Sequence, residues 1–222
     1  MLRIFFLISV YFCIGPLFAF EYQGNLVDGE RDGLWITKNK ESVLSRCHYK
    51  EGLLDGNCTK YDSSGLPTSV GVFLKGQQHG NWQYFEKGIL KSEGPYSADE
   101  KQGIWSFYNQ NGKLEFRREF RNGAEVGLVE KYYFNGQIEY SHPTYDGLPL
   151  GVWVDFYESG QVKRLGYYDR YKRTGIWSYY YANGQLHMRG AYDGREKVGE
   201  WQYYEPDGTP SRMPTKNADE DI

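Results

Sequence analysis

The chain has 222 residues, of which 40% are hydrophobic and 25% are charged, a balance that excludes an intrinsically disordered or collagen-like protein. It is rich in aromatic residues (6 Trp, 21 Tyr and 12 Phe) and in Gly (27), which favours short strands joined by glycine turns over a leucine-lined helical core. The formal net charge is −3. A general nucleic-acid scaffold would be clearly basic, so we expect no nucleic-acid partner.

Residues 1–19 have the composition of a secretory signal peptide. Arg3 is followed by an apolar run over residues 4–14, a glycine–proline break, and Ala19 as the small residue before the predicted cleavage. An uncleaved anchor in the inner membrane is the alternative, because the apolar segment approaches the ~17 residues that a spanning helix needs. We therefore expect the mature chain in the periplasm or outside the cell, where disulfides persist.

Tandem repeats fill residues 33–209, and residues 20–32 are a half repeat that caps the first one. Every Trp stands two positions after a Gly. Two further frames carry Cys58 or Val129 in the Trp position, and the leading glycines then recur every 23 or 24 residues. We interpret all six tryptophans as structural repeat residues: Trp35, Trp82, Trp105, Trp153, Trp177 and Trp201.

Each repeat is composed of two short strands and two turns. Turns such as Asn135-Gly136 and Asn122-Gly123 tolerate the positive φ angles of type I′ hairpins. The sequence therefore predicts an all-β fold, an elongated antiparallel meander of about eight tandem β-hairpin repeats with contacts between neighbours only. The polar and acidic residues 210–222 predict a disordered tail.

A glycine also stands eleven residues before most of the tryptophans, as at Gly71 and Trp82. Because an indole that lies across a neighbouring strand needs a site without a side chain, we predict that these residues are cross-strand neighbours. In one frame the two positions hold Cys47 and Cys58. We predict a disulfide there in place of the glycine–tryptophan contact, with two buried free thiols as the alternative.

A second aromatic residue follows seven of the eight Trp positions by three residues, as Tyr180 follows Trp177. Ideal strand alternation would place two such residues on opposite faces of the sheet. Either a β-bulge restores a common face, or both faces carry aromatic residues.

These repeats resemble the MORN repeat in its bacterial variant form, whose consensus G-x-W-x-x-Y-x-x-x-G-x-L and a later aromatic residue are followed closely over residues 103–120 and 175–192. The resemblance extends over residues 24–208 and implies a scaffold that binds proteins or lipids. The repeats also resemble a bacterial group of such chains, the YwqK-type antitoxin family. This resemblance implies neutralisation of a toxin by direct binding. Together with the predicted signal peptide, this resemblance implies an antitoxin or immunity-type protein that occludes its partner in the cell envelope.

The sequence contains no motif that predicts catalysis or metal binding. The four histidines fall at unrelated repeat positions, without Cys or carboxylate residues at ligand spacing, and no phosphate-binding loop or nucleophile motif occurs. We therefore expect a non-enzymatic chain with no catalytic residue, metal or cofactor. The expected partner is a protein, a toxin or effector; a module that binds the membrane surface or cell-wall glycan is the alternative.

Two groups of residues are candidates for contact with a partner. Residues that depart from the repeat pattern form the first group: Arg118, Val129, His142 and Tyr145. The densest basic stretch forms the second group: Lys163, Arg164, Arg170, Lys172 and Arg173. The alternatives are neutral drift for the first group and, for the second, a solvated sheet edge that prevents aggregation.

Overall fold

The computed structural model describes residues 7–12, 20–40 and 42–212, with side chains from residue 20 onward. The predicted signal peptide lies outside the described residues except for the backbone of Leu7–Phe12, which forms a strand. Of the predicted tail, Pro210 and Ser211 pair with the preceding strand, and residues 213–222 lie outside the described part. The described residues include no helix long and apolar enough to cross a bilayer.

The chain folds as two compact units. The first unit contains residues 1–112 and 121–123, and the second contains residues 113–120 and 124–222. Strands of the first unit are β1 (Leu7–Phe12), β2 (Phe20–Val27), β3 (Glu30–Lys38), β4 (Val43–Lys50), β5 (Leu53–Tyr61), β6 (Pro67–Leu74), β7 (Gln77–Glu86), β8 (Ile89–Ser97), β9 (Glu100–Lys101) and β10 (Gly103–Tyr108). Strands of the second unit are β11 (Leu114–Arg121, whose last residue belongs to the first unit), β12 (Ala124–Tyr132), β13 (Ile138–Tyr145), β14 (Leu148–Phe156), β15 (Val162–Asp169), β16 (Lys172–Tyr180), β17 (Leu186–Gly194), β18 (Glu196–Tyr204) and β19 (Pro210–Ser211).

Both units are antiparallel meanders. In the first unit each strand from β1 to β8 pairs with the next one along the chain, and β8 also pairs with β9 and β10. In the second unit the same consecutive pairing runs from β12 to β19. The predicted all-β class and the antiparallel order of hairpins are thereby confirmed.

The leading glycine of each repeat is required by the backbone. All eight leading glycines have a positive φ, from 59° at Gly103 to 119° at Gly151, a conformation that strains any residue with a Cβ. The strand ladder shifts at this point: Leu165 pairs with Ser178 and Tyr167 with Thr174, so β16 carries extra residues opposite β15. The glycine therefore forms a β-bulge directly before the Trp position.

A second bulge separates the Trp position from the aromatic residue that follows it by three. The register shifts between Tyr179 and Tyr180, for example. The later aromatic residue nevertheless lies on the face opposite the Trp position, because the Tyr132 hydroxyl donates to the Glu130 carboxylate at 2.7 Å and Glu130 adjoins Val129 in the strand. Both faces therefore carry aromatic residues, and the bulge does not restore a common face.

The type I′ turn predicted at Asn135-Gly136 is wrong, whereas the one predicted at Asn122-Gly123 is present. Asn135-Gly136 belongs to a longer connection in which the Tyr133 N–H donates to the Gln137 carbonyl and the Gly136 N–H to the Tyr133 carbonyl. Only the glycine has a positive φ there (88°), and the Asn135 side chain instead accepts the Gln137 N–H at 2.9 Å. The type I′ pattern of two positive φ values occurs at Asn122-Gly123, with 49° and 76°.

The predicted contact between glycine and indole is present in five repeats. A Cβ added to Gly166 would lie 2.0 Å from Trp177 Cδ2, and one added to Gly94 would lie 2.5 Å from Trp105 Cδ2, so each indole lies flat on glycine backbone. Both of these indoles are fully buried. The pairs are Gly24/Trp35, Gly71/Trp82, Gly94/Trp105, Gly166/Trp177 and Gly190/Trp201.

In four of these repeats a cation lies against the same indole. It comes from the residue four positions before the Trp, which we call the cap position. The cationic group lies 4.3–5.2 Å from the ring centroid, within the range of a cation–π contact. The pairs are Arg31/Trp35, Lys101/Trp105, Arg173/Trp177 and Lys197/Trp201.

The predicted disulfide between Cys47 and Cys58 is present. The two residues are register partners in β4 and β5, and both are buried. Cys47 also faces Trp35 in β3, and Cys58 faces Gly71 in β6. The disulfide therefore occupies the positions that a glycine and an indole hold in five other repeats.

Hydrogen bonds 23 residues apart tie consecutive turns together in the second unit. The Tyr157 hydroxyl donates to the Tyr180 carbonyl at 2.7 Å, and the Tyr181 hydroxyl to the Tyr204 carbonyl at 2.9 Å. Tyr133 makes the same bond to Phe156 at 2.8 Å. Each repeat is thus bonded to the next through a side chain as well as through the strand ladder.

Substitution of Gly166 by Ala is expected to lower the free energy of unfolding by about 1–3 kcal/mol, because the new methyl group would overlap the Trp177 ring. Urea denaturation of the single variant measures this. In a Trp177→Leu background the same substitution should cost less than half as much. An equal cost in both backgrounds would show that the glycine–indole contact is not the cause.

Replacement of both cysteines by Ala is expected to cost about 2–4 kcal/mol of stability, since the cross-link and its packing are lost. The double variant C47G/C58W restores the residues of the other repeats and should recover part of that loss. Guanidinium denaturation of the oxidised wild type and the two variants measures this. A C47G/C58W protein less stable than C47A/C58A would contradict the equivalence of the two contacts.

Candidate functional site

The second unit contains a cavity of about 380 Å³ beside the Trp position of β14. It lies where two successive repeats depart from the pattern, the repeats that carry Val129 and Trp153. Ten residues line it: Arg118, Glu125, Val129, Tyr140, His142, Gly147, Pro149, Trp153, Tyr168 and Tyr171.

Changes at three kinds of repeat position create this cavity. Arg118 and His142 stand where five other repeats have the glycine eleven residues before the Trp position. Glu125 and Pro149 stand at the cap positions, where four other repeats have Lys or Arg. Val129 is smaller than the indole that it replaces, so the volume that Trp and a cation fill elsewhere stays open.

His142 takes the place of the glycine beneath Trp153. Its ring stacks on the indole with a centroid distance of 4.2 Å and an interplanar angle of 6°. The imidazole separates the indole from the strand backbone, so Trp153 is only partly buried, in contrast to Trp177, which lies directly on a glycine. His142 itself is buried, and its Nδ1 lies 3.1 Å from the Pro143 carbonyl oxygen.

One ion pair lies at the cavity. Arg118 Nη1 is 2.9 Å from Glu125 Oε2, and both side chains are partly exposed, so the pair contributes little to stability. Burial lowers the pKa of His142 below its ordinary value, against smaller raising effects of the Pro143 carbonyl and Glu125. The imidazole is therefore neutral at pH 7, and Arg118 and Glu125 balance each other.

Three tyrosines complete the lining. Tyr140 stacks on Trp153 at 5.0 Å between centroids, and Tyr168 lies 5.1 Å from it at an angle of 57°. Tyr171 is 66% exposed and has a φ of 70°, next to Arg170 with a φ of 47°. Left-handed conformations are unfavourable for such residues, so this turn holds the Tyr171 ring at the cavity under strain.

The structure brings three of the four pattern-breaking residues together, since Arg118, Val129 and His142 all line the cavity. Tyr145 is 68% exposed and lies outside the lining.

The five residues of the basic stretch differ in their contacts: three pack against neighbouring side chains and two are exposed. Arg164 pairs with Asp155, Arg173 packs on Trp177, and Lys163 lies 5.7 Å from the centroid of the Tyr157 ring. Arg170 and Lys172 remain exposed beside Tyr171. The stretch therefore does not present five equivalent cations to a partner.

Sequence reasoning missed Tyr168, because it follows the repeat pattern and looks like an ordinary packing residue, and it missed Tyr140, whose repeat position shows no pattern. It also missed Glu125 and Pro149. A signal for these two was present, since the cap position is cationic in four repeats and changes to Glu and Pro in consecutive ones. Among the described residues no cluster of three His, Cys, Asp or Glu side chains is arranged to hold a metal ion.

Four segments match the family model of the MORN repeat variant: residues 101–122, 125–146, 149–170 and 173–193. The leading, positive-φ glycine is the third residue of every matched segment. Over these four tandem repeats the chain is similar to the MORN repeat of the variant type. The cavity lies mainly within the second and third of these repeats. A search of curated proteins finds no match to the chain.

Stability is expected to decrease as the pH falls below about 6.5, because burial holds the pKa of His142 below the ordinary value of 6.5 that the unfolded chain regains. Between these two pKa values the unfolded state binds more protons than the folded state. The contribution of neutral, buried His142 to the free energy of unfolding is therefore complete above pH 6.5 and is lost as the pH falls towards the lowered pKa. Urea denaturation from pH 5 to pH 8 measures this.

The His142→Gln variant should lose this part of the pH dependence, and His79→Gln, at an exposed position, serves as the control. Identical pH profiles for wild type and H142Q would contradict the assignment. An NMR titration of the His142 ring gives the folded-state pKa directly.

Proposed function

We propose that this chain is a non-enzymatic repeat scaffold of the cell envelope that binds a protein partner on the sheet face opposite the tryptophans. The observation that carries the proposal is a stripe of exposed apolar side chains in the second unit, which we call the outer stripe. Its members are 38–51% exposed: Leu128, Val152, Tyr167, Ile176 and Val198.

The outer stripe follows from the repeat geometry. Leu128, Val152 and Ile176 stand between a leading glycine and the Trp position and point away from that position, because side chains alternate along a strand. Tyr167 and Val198 join them as cross-strand neighbours. Val152 pairs with Tyr167 across β14 and β15, and Ile176 pairs with Ala191, which in turn pairs with Val198. Apolar side chains thus lie side by side on neighbouring strands, a property of protein-interaction surfaces.

The first unit has no equivalent stripe among its described residues. The position between the leading glycine and the Trp position is apolar in three consecutive frames of the second unit and is Glu200 in the fourth. In the first unit it holds Leu34 and Ile104, which are exposed, but Asn57 and Asn81 in the two frames between them. The apolar surface is therefore interrupted there, and this difference supports the second unit as the partner-binding part.

Within this class we propose an antitoxin or immunity-type role, in which the scaffold occludes an incoming toxin or effector. This finer assignment is supported by the resemblance of the repeats to the YwqK-type antitoxin family and by the predicted signal peptide. The Cys47–Cys58 disulfide fits an oxidising compartment such as the periplasm. A broad apolar surface with a few anchoring side chains suits steric occlusion better than it suits catalysis.

The double variant V152E/I176E is expected to lose the partner while keeping the fold, because it places two charges at the centre of the outer stripe. Affinity capture with the full chain from envelope and secreted fractions, followed by a binding titration with the purified captured protein, measures the loss. The matched control Q161E/Q185E adds two charges at exposed turn positions of the same unit and should bind like wild type.

Sedimentation with anionic phospholipid vesicles and with peptidoglycan forms the second arm. Binding to either one without any captured protein would refute the proposal in favour of a membrane or glycan module. Equal partner binding by V152E/I176E and wild type would exclude the outer stripe as the interface.

A further inference from the structure

The repeats contain an internal template for how a cation binds next to a tryptophan. Arg173 lies 5.2 Å from the centroid of Trp177 and 4.9 Å from that of Tyr192. Lys197 lies 4.6 Å from Trp201 and 5.9 Å from Tyr203. An indole flanked by tyrosine rings is thus a cation-binding surface in this fold, for guanidinium and ammonium groups alike.

At Trp153 the cap position supplies no cation, because Pro149 occupies it. The rings of Tyr140, His142 and Tyr168 are the neighbours of the indole. The volume that a Lys or Arg side chain would fill is part of the cavity of about 380 Å³.

The lining of the cavity suits a cation. Four aromatic rings border it, those of Tyr140, Trp153, Tyr168 and Tyr171. Cation–π attraction is stronger in such a partly desolvated site than at an open surface. The positive charge of Arg118 is paired with Glu125, and burial keeps His142 neutral, so neither imposes a strong net repulsion.

We propose that this cavity receives an arginine or lysine side chain of the protein partner, which takes the place on Trp153 that Arg173 takes on Trp177. The inference rests on the proposed function for the source of the side chain, whereas the cation site itself rests on the cavity. The cavity lies on the sheet face of Trp153, so a partner seated on the outer stripe reaches it around the turns that contain Gly147 and Tyr171, which line the cavity. The inference makes Trp153 and Tyr140 ligand-binding residues, and it predicts a partner whose docking surface carries a protruding basic residue.

N-acetyl-arginine amide tests the site, with N-acetyl-citrulline amide as a neutral probe of nearly the same shape. The readout is the indole N–H signal of Trp153 in ¹H–¹⁵N spectra of the full chain, assigned with the Trp153→Phe variant. The arginine probe is expected to shift this signal in a saturable manner, with weak affinity, and the signal of the capped Trp177 should not move. Citrulline should leave both signals in place.

Pro149→Lys supplies the missing cap from the chain itself and should abolish the shift. Pro149→Ala removes the proline without adding a cation and should retain binding, and Leu150→Lys adds the same charge at the adjacent exposed residue and should also retain it. Equal shifts with arginine and citrulline, or unchanged arginine binding to P149K, would overturn the inference.

The purified partner separates this inference from the proposed function. Loss of affinity with P149K but not with P149A supports a basic side chain in the cavity. A partner that binds P149K and wild type equally overturns the inference while leaving the outer stripe as the interface. Probe binding without any captured partner keeps the cation site and refutes the proposed function.

Discussion

The flat contact between an indole and a bare strand is the interaction on which this fold depends. Each unit is a succession of hairpins without helices among its described residues, so its buried apolar surface has to come from side chains that lie along the sheet. Trp177 achieves complete burial by lying on Gly166 and beneath Arg173. Glycine, bulge and cation are therefore parts of one packing arrangement that is repeated along the chain, and the Cys47–Cys58 bond replaces it once.

Much of this arrangement could be predicted from the sequence because it is periodic. The spacing of Gly71 and Trp82 alone predicts their cross-strand contact, and Cys47 and Cys58 are predicted to bond because they occupy the same two repeat positions. The direction of a side chain at a bulge could not be derived in this way, since a shift of one residue reverses the face. The turn at Asn135 was misjudged for a related reason: Asn-Gly suits more than one turn type, and hydrogen bonds from Tyr133 and Gln137 decide between them.

The candidate site was only partly accessible to such reasoning. Arg118 and His142 stood out as exceptions, but an exception shows where packing changes and not whether a cavity results. That outcome depends on Pro149 and Glu125, whose significance emerges only when the cap position is recognised as part of the packing. In such a repeat protein, loss of the Lys or Arg at a cap position leaves the aromatic surface next to it uncovered. That surface then becomes accessible to another molecule.

The tyrosine hydroxyl bonds that join positions 23 residues apart have a consequence for how such a chain can change in length. Tyr157 reaches the Tyr180 carbonyl only if the intervening segment keeps its residue number, because both ends are fixed in neighbouring turns. Single-residue insertions within a repeat would break that alignment for the two turns concerned, whereas duplication or excision of a whole module preserves it. In this part of the chain, an inserted copy of a whole repeat would therefore form the same hydroxyl bonds at both of its borders.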